Sequence, residues 1–400
     1  MLFGPRLLLH TEAFLKIQPS IRVHIEQEKM SSDTAQAPKP LTAKELLAHP
    51  AYPTNDWSSR IPPTSKGYAE INKRSQRPGG PFKLYYELHG HGPTRIAWIM
   101  GLGAYRTAWK RQSEYFGHQR GDRYTCLVYD NRGVGLSEKP FSRYSTREMA
   151  ADLLELLAHL GWLENDYVDK VLNSLYKKQS SGEVQPAKRE LNVIGVSMGG
   201  MIAQEVALLI PERLQSLFLV STAPRVVRTA PWSEHLKQRL GMFVPKDEDL
   251  QLGEIAYRLF SKEFLAQPDT EHSDPKLNFP TNRDRFAAAE LEKRRDKEGF
   301  TKKGFILQAI AAGWHHKDAE QLQQMVQKVG AQRICVMHGT VDQMLVYKHF
   351  ELMKQDMGEN SGVDFQTWEG SGHVLAWENN MQFNEAIEKV IARTKELTAS

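Results

Sequence analysis

Apolar residues along this chain fall into short runs, each closing on a glycine-rich or polar turn. Phe82 to Leu88 alternates apolar and polar positions, the pattern of a half-buried strand. Arg95–Met100, Tyr124–Tyr129, Leu191–Val196, Leu217–Val220, Arg333–Met337 and Val363–Trp368 are denser runs that read as buried strands. Between them lie stretches with helical spacing. Thr146 to Leu160 repeats Met149, Leu153, Leu154, Leu156 and Leu157 on one face, and Met201 to Leu209 follows the Leu191 run directly. Strand and helix alternate, so the fold class is α/β, with a mostly parallel, doubly wound sheet.

Two regions break the alternation. From Arg225 to about Gln321 the strand signals stop, while aromatic residues and methionines continue on a helical background. This segment, residues 225–320, is expected to be a helical cap inserted between two parts of the core, residues 81–224 and 321–400. The first 80 residues are rich in Pro, Ser, Thr, Lys and Gly and are expected to form a partly disordered N-terminal extension. The polar stretch from Glu164 through Glu190 reads as a surface excursion.

Composition narrows the class. The 400 residues are 40% hydrophobic and 25% charged, which suits a large globular core. A formal net charge of +4 gives no nucleic-acid footprint. No run approaches the ~20 apolar residues of a membrane span. Cys126 and Cys335 each sit inside an apolar run and read as buried, reduced side chains; no Cys/His spacing suggests a metal site. Leu7-Leu8-Leu9 is too short for a secretory signal core, so a cytoplasmic protein is expected, with a mitochondrial presequence in residues 1–29 as the alternative. Oligomeric state leaves no trace in the sequence.

The chemistry gathers at the run ends. Leu191–Val196 closes on Gly195-Val196-Ser197-Met198-Gly199-Gly200 and a helical pattern begins at once. A buried strand, a very tight turn and a helix would lift the Ser197 hydroxyl above the sheet as a nucleophile. Free N–H groups at the helix start favour negative charge beside it. Gly101-Leu102-Gly103-Ala104 leaves another strand. It is either a plain strand-end turn or the second half of an oxyanion hole, with the Leu102 N–H as its best donor. Asp130 and Arg132 read as pins of a polar loop. Asp342 and His373 each follow the end of a later strand, at the edge where open α/β sheets build ligand sites.

These motifs carry a family. Met100-Gly101-Leu102-Gly103, Asp130-x-Arg132-Gly133-x-Gly135-x-Ser137, Gly195-x-Ser197-x-Gly199-Gly200, His338-Gly339-x-x-Asp342 and Gly370-x-Gly372-His373 occur in this order. The chain resembles the α/β-hydrolase fold family, in its lid-containing serine esterase/lipase-like branch, from about residue 82 to 395. Two features depart from the family pattern: Met100 stands where a His is usual, and the 164–190 excursion is long. The resemblance implies a Ser197–His373–Asp342 triad, an oxyanion hole of the Leu102 and Met198 N–H groups, and no cofactor or metal. Relatives that open epoxides or displace halide place Asp at the nucleophile position; Ser197 implies acyl transfer to water.

The expected reaction is hydrolysis of a carboxylic ester with a small, fairly apolar substrate, because the cap is aromatic-rich. Trp232 and Phe260 are the expected pocket residues. An acyltransferase, a cofactor-free haloperoxidase-like or carbon–carbon bond hydrolase, and a non-catalytic binding protein of the same fold are the alternatives. For the acyltransferase, the His-x4-Asp pattern of some relatives is met imperfectly, since Glu378 stands at that spacing from His373.

Overall fold

The apolar runs become one eight-stranded sheet in a computed structural model, which describes residues 38–54, 57–73, 75, 77, 79–177, 188–227 and 247–399. In chain order the strands are β1 (Ser65–Ile71), β2 (Phe82–Gly90), β3 (Thr94–Ile99), β4 (Tyr124–Tyr129), β5 (Leu191–Val196), β6 (Leu214–Val220), β7 (Ile334–Gly339) and β8 (Asp364–Trp368). Their order across the sheet is β1-β2-β4-β3-β5-β6-β7-β8. β1 and β2 pair antiparallel with each other, and β2 with β4; every pairing from β4/β3 to β7/β8 is parallel.

The two-residue period of a strand divides the core into two layers. On β3, Ala97 and Ile99 join one apolar layer, whereas Ile96 and Trp98 join the other. Helices Thr146–His159, Met198–Leu209, Ala319–Val329 and Lys348–Met357 supply the first layer. The long helix Asn380–Ala399 and the Trp109–Phe116 stretch supply the second. Burial on both faces explains why the central strands read as continuous apolar runs. No helix among the described residues is long and apolar enough to cross a membrane.

Between β6 and β7, ahead of helix Ala319–Val329, the described residues form helices Glu248–Leu259, Lys262–Ala266, Asn282–Arg295 and Lys302–Gly313, and no strand. Three sequence expectations need correction. The extension before residue 80 is not outside the fold once residue 38 is passed. Ser65–Ile71 is the edge strand β1, and helix Ala43–Ala48 shares an apolar cluster with Leu252, Ala288 and Leu291 of the cap. Backbone N–H groups of Leu41 and Ala43 donate to cap carboxylates Asp284 and Asp249, at 3.0 and 2.6 Å. The 164–190 excursion contains helix Asn165–Lys177, which buries Tyr167, Val168 and Leu172. His89-Gly90-His91-Gly92-Pro93 reads in the sequence as a turn with its two histidines at a solvated hairpin tip, but His89 is not there. It is buried at the end of β2, with Nδ1 3.0 Å from His118 Nε2.

The loop after β1 is fastened by charge. Arg77 is buried and donates to Glu148, Asp152 and Glu155 on helix Thr146–His159, at 2.8 to 2.9 Å. Arg132, after β4, shares Asp152. Removing one partner of such a buried set leaves charge uncompensated, at a cost of about 3–5 kcal/mol. Arg77→Met is therefore expected to lower unfolding free energy by about that amount, measured by urea denaturation. An unchanged midpoint would show that the carboxylates are satisfied without it.

Candidate active site

Ser197 follows β5 immediately and begins helix Met198–Leu209. Its backbone sits at φ 58° and ψ −122°, a conformation that costs a non-glycine residue about 1–3 kcal/mol. The surroundings leave it no alternative. A Cβ on Gly195 would lie 2.2 Å from the Gly199 carbonyl oxygen, and one on Gly199 would lie 2.2 Å from that of Ile99. The Ser197 N–H donates to Val220 O at 2.9 Å, and its own carbonyl accepts from the Thr222 hydroxyl at 2.7 Å. The backbone is pinned on both sides while the side chain remains partly exposed.

The loop leaving β3 passes against this turn: a Cβ on Gly101 would lie 3.1 Å from Ser197 Cβ. The Gly103 N–H is already used, donating to Gln308 Oε1 at 2.9 Å. Gln308 is fully buried in helix Lys302–Gly313, and its Nε2 donates to Arg132 O at 2.8 Å. One cap side chain thus fixes two core loops at once. The Leu102 and Met198 N–H groups have no hydrogen-bond acceptor among the described residues. Asp130 and Arg132 hold their loop as the sequence suggests. Asp130 accepts from Arg106 and from the Leu136 N–H, and Arg132 pairs with Asp152.

Asp342 and His373 meet directly, with Nδ1 2.7 Å from Asp342 Oδ2 and both side chains buried. The other carboxylate oxygen accepts the Met344 and Leu345 N–H groups at 2.7 and 2.9 Å. Burial alone would push this carboxyl up. The facing imidazoles of His373 and His338, and their hydrogen bonds, instead hold it well below the usual carboxylate range. No hydrogen bond joins Ser197 Oγ to His373 in this arrangement. Asp364, another acid close to His373 in the sequence, pairs with Arg393 at 3.1 Å and lies at the start of β8, away from the carboxyl edge.

Sequence reasoning missed three side chains here. His338 Nε2 lies 2.7 Å from the Leu345 carbonyl oxygen and 3.3 Å from Asp342 Oδ2, so a second imidazole faces the acid. Its four-residue spacing before Asp342 was the available signal. Glu378 accepts from the Gly372 N–H at 3.0 Å and from the Ser261 N–H and hydroxyl at 3.1 and 2.7 Å. Its spacing after His373 is thus used to tie the histidine turn to the cap. Gln308, the third, carried no sequence signal.

Residues 88–386 match the model of the alpha/beta hydrolase family. The chain belongs to that family. It is 30% identical over 143 residues to RutD of Azorhizobium caulinodans, a protein named as a carbamate hydrolase; the match covers 36% of this chain and 42% of that one. It is 27% identical over 131 residues to 3-oxoadipate enol-lactonase 2 of Acinetobacter baylyi, covering 33% and 38%. The chain therefore spans less than half the length of these curated relatives in its matches. A solved esterase from Thermogutta terrifontis superposes with a TM-score of 0.56 at 19% identity, covering 83% of this chain and 99% of that one. That likeness shows the fold.

The helices between β6 and β7 carry one of the expected pocket residues. Phe260, expected on the pocket wall, is 3% exposed and packs among Phe264, Phe286 and Trp377. It lies behind the histidine turn: the carbonyl of Leu259, its neighbour, accepts the His373 and Val374 N–H groups at 2.8 and 3.2 Å. Trp232 lies outside the described residues. Phe305 and Phe300 are the cap aromatics that approach the Gly103 loop; a Cβ on Gly103 would lie 2.9 and 3.3 Å from their rings.

The elbow's glycines make a direct test. Gly199→Ala places a methyl against backbone that cannot yield, so destabilisation of at least about 1–3 kcal/mol is expected. Gly313, at the end of its helix, has nothing within 4 Å of an added Cβ. Gly313→Ala should be neutral or slightly stabilising. Thermal melts of the two variants distinguish close approach from a general intolerance of alanine.

Proposed function

We propose that this chain is a serine hydrolase of carboxylic esters. Ser197 is its nucleophile, His373 its general base, Asp342 the acid that orients His373, and Leu102 and Met198 supply the oxyanion N–H groups. The observation that carries the reading is the Asp342–His373 hydrogen bond, 2.7 Å long, at the sheet edge where β5 ends in the strained Ser197 turn. Names given to relatives, an esterase and an enol-lactonase among them, point to the same bond class.

The steps follow from the groups. With Nδ1–H held by Asp342, the His373 Nε2 lone pair is free to take the Ser197 proton as Oγ attacks the ester carbonyl. Charge then develops on the carbonyl oxygen beside the helix start and the Leu102 N–H. Collapse expels the alcohol, which receives the proton from His373. Water, deprotonated by the same imidazole, releases the acid and restores Ser197. Glu378 serves here as a positioning residue for the His373 turn.

Ser197→Ala should fold with an unchanged melting temperature. It should lose p-nitrophenyl ester hydrolysis by several orders of magnitude, together with fluorophosphonate labelling. Asp342→Asn should reduce kcat by roughly 10⁴-fold, since the imidazole tautomer is no longer fixed. Full turnover in either folded variant would refute its assignment, and a series of ester chain lengths would define the acyl preference.

The pH dependence has a definite sign. Asp342 is held ionised well below its ordinary range, so it does not titrate as the medium turns mildly acidic. A general base that takes the Ser197 proton acts only in its unprotonated form. kcat/KM is expected to rise through one ionisation with increasing pH and level off, and His373→Ala should abolish that rise together with the rate. A residual profile of the same shape would identify another base.

A further inference from the structure

The outer side of helix Lys302–Gly313 differs from its inner side. Its inner side holds the Gly103 loop through Gln308, but the opposite side exposes apolar groups: Ile310 is 42% and Trp314, just past the helix end, 75% exposed. Phe141, on the loop beside it, is 84% exposed. Cations are interleaved with these rings. Lys303 Nζ stands 4.3 Å from the Phe141 ring centre, and the Arg143 guanidinium 5.5 Å from that of Trp314. Lys302 and Arg147 are exposed on the same side, as is His316. A cleft of about 270 Å³ opens between Arg143, Arg147, Trp314 and His316.

The carboxylates near this cleft are already engaged. Glu205, on its floor, pairs with Lys317 at 2.6 Å and lies 3.5 Å from Arg147. Asp318 accepts the Gln321 N–H as a helix cap. His315 is buried, and burial together with the neighbouring Lys317 pushes its imidazole down to about 3, so it adds no charge. What faces outward is a set of Lys and Arg side chains around tryptophan, phenylalanine and isoleucine.

We propose that this face, Phe141 to Arg147 with the outer side of helix Lys302–Gly313, is a docking surface for an anionic lipid bilayer. Charge complementarity selects that partner. Four exposed Lys and Arg side chains meet lipid phosphates and carboxylates, while Trp314, Phe141 and Ile310 enter the boundary between headgroups and acyl chains. Trp and Phe surrounded by cations suit that boundary, where one end of the contact is apolar and the other wet. Because the same helix holds the Gly103 loop from its other side, a docked membrane would lie one helix thickness from the Ser197 turn. The proposal does not depend on the ester reading, since its test reads binding rather than turnover.

The full chain is mixed with phosphatidylcholine vesicles, with and without phosphatidylserine, and separated by flotation. Binding is expected only when phosphatidylserine is present, and it should fall as salt is raised. The double variant Arg143→Gln/Lys303→Gln should weaken partitioning by roughly ten-fold or more, since each cation near an anionic surface contributes several-fold. Trp314→Gln/Phe141→Gln should weaken it comparably while leaving the salt slope in place. All four side chains sit at the surface, so both variants should keep the wild-type melting temperature. Failure of the wild type to bind phosphatidylserine vesicles at low salt would overturn the proposal. So would equal binding by both variants, or a self-association in sedimentation velocity that the Trp314/Phe141 variant abolishes.

Discussion

A serine can be presented above a sheet only if a strand and a helix almost touch where they meet. Here that contact is the approach of Gly195 to Gly199 and of Gly199 to the end of β3, each leaving no room for a methyl group. The turn forces Ser197 into a positive-φ backbone, and hydrogen bonds from Ser197 to Val220 and from Thr222 to Ser197 keep it there. The rest follows from strand direction. β3, β5, β7 and β8 are linked by parallel pairing through β6, so the loops after them open on one edge. Gly101, Ser197, Asp342 and His373 are all on those loops.

The second determinant is how the cap grips this edge. The grip is made of backbone hydrogen bonds and buried polar side chains rather than of apolar contact alone. Gln308 takes a donor from one loop and gives one to another. Glu378 gathers Gly372 and Ser261, and Leu259 receives two N–H groups of the histidine turn. Buried groups of this kind hold a geometry because leaving any one unpaired is costly.

Much of this could be read from the sequence, for identifiable reasons. Strands buried on both faces announce themselves as apolar runs, and turns that need glycine show glycine, so the positions of Ser197, Asp342 and His373 stood out. β1 did not, because an edge strand that begins Ser65-Lys66-Gly67 with exposed positions carries little apolar signal. Helix Asn165–Lys177 was masked by the polar residues on its outer face. Gln308 was silent because its partners are backbone atoms that only the fold brings near, and His338 showed only its spacing from Asp342. An aromatic residue shows its burial in the sequence but not its direction, and Phe260 packs among Phe264, Phe286 and Trp377.

The paired hydrogen bonds at Leu259 bear on how such a protein can be recombined. A chimera that exchanged residues 225–320 for the cap of a relative would import a new backbone at the position of Leu259 and Ser261 and a new partner, or none, for Glu378 and Gly103. The graft would then fold around a histidine turn and a Gly103 loop that had lost their outer supports. The segment between β6 and β7 is therefore not a free module: a transplanted one must bring the seam residues with it.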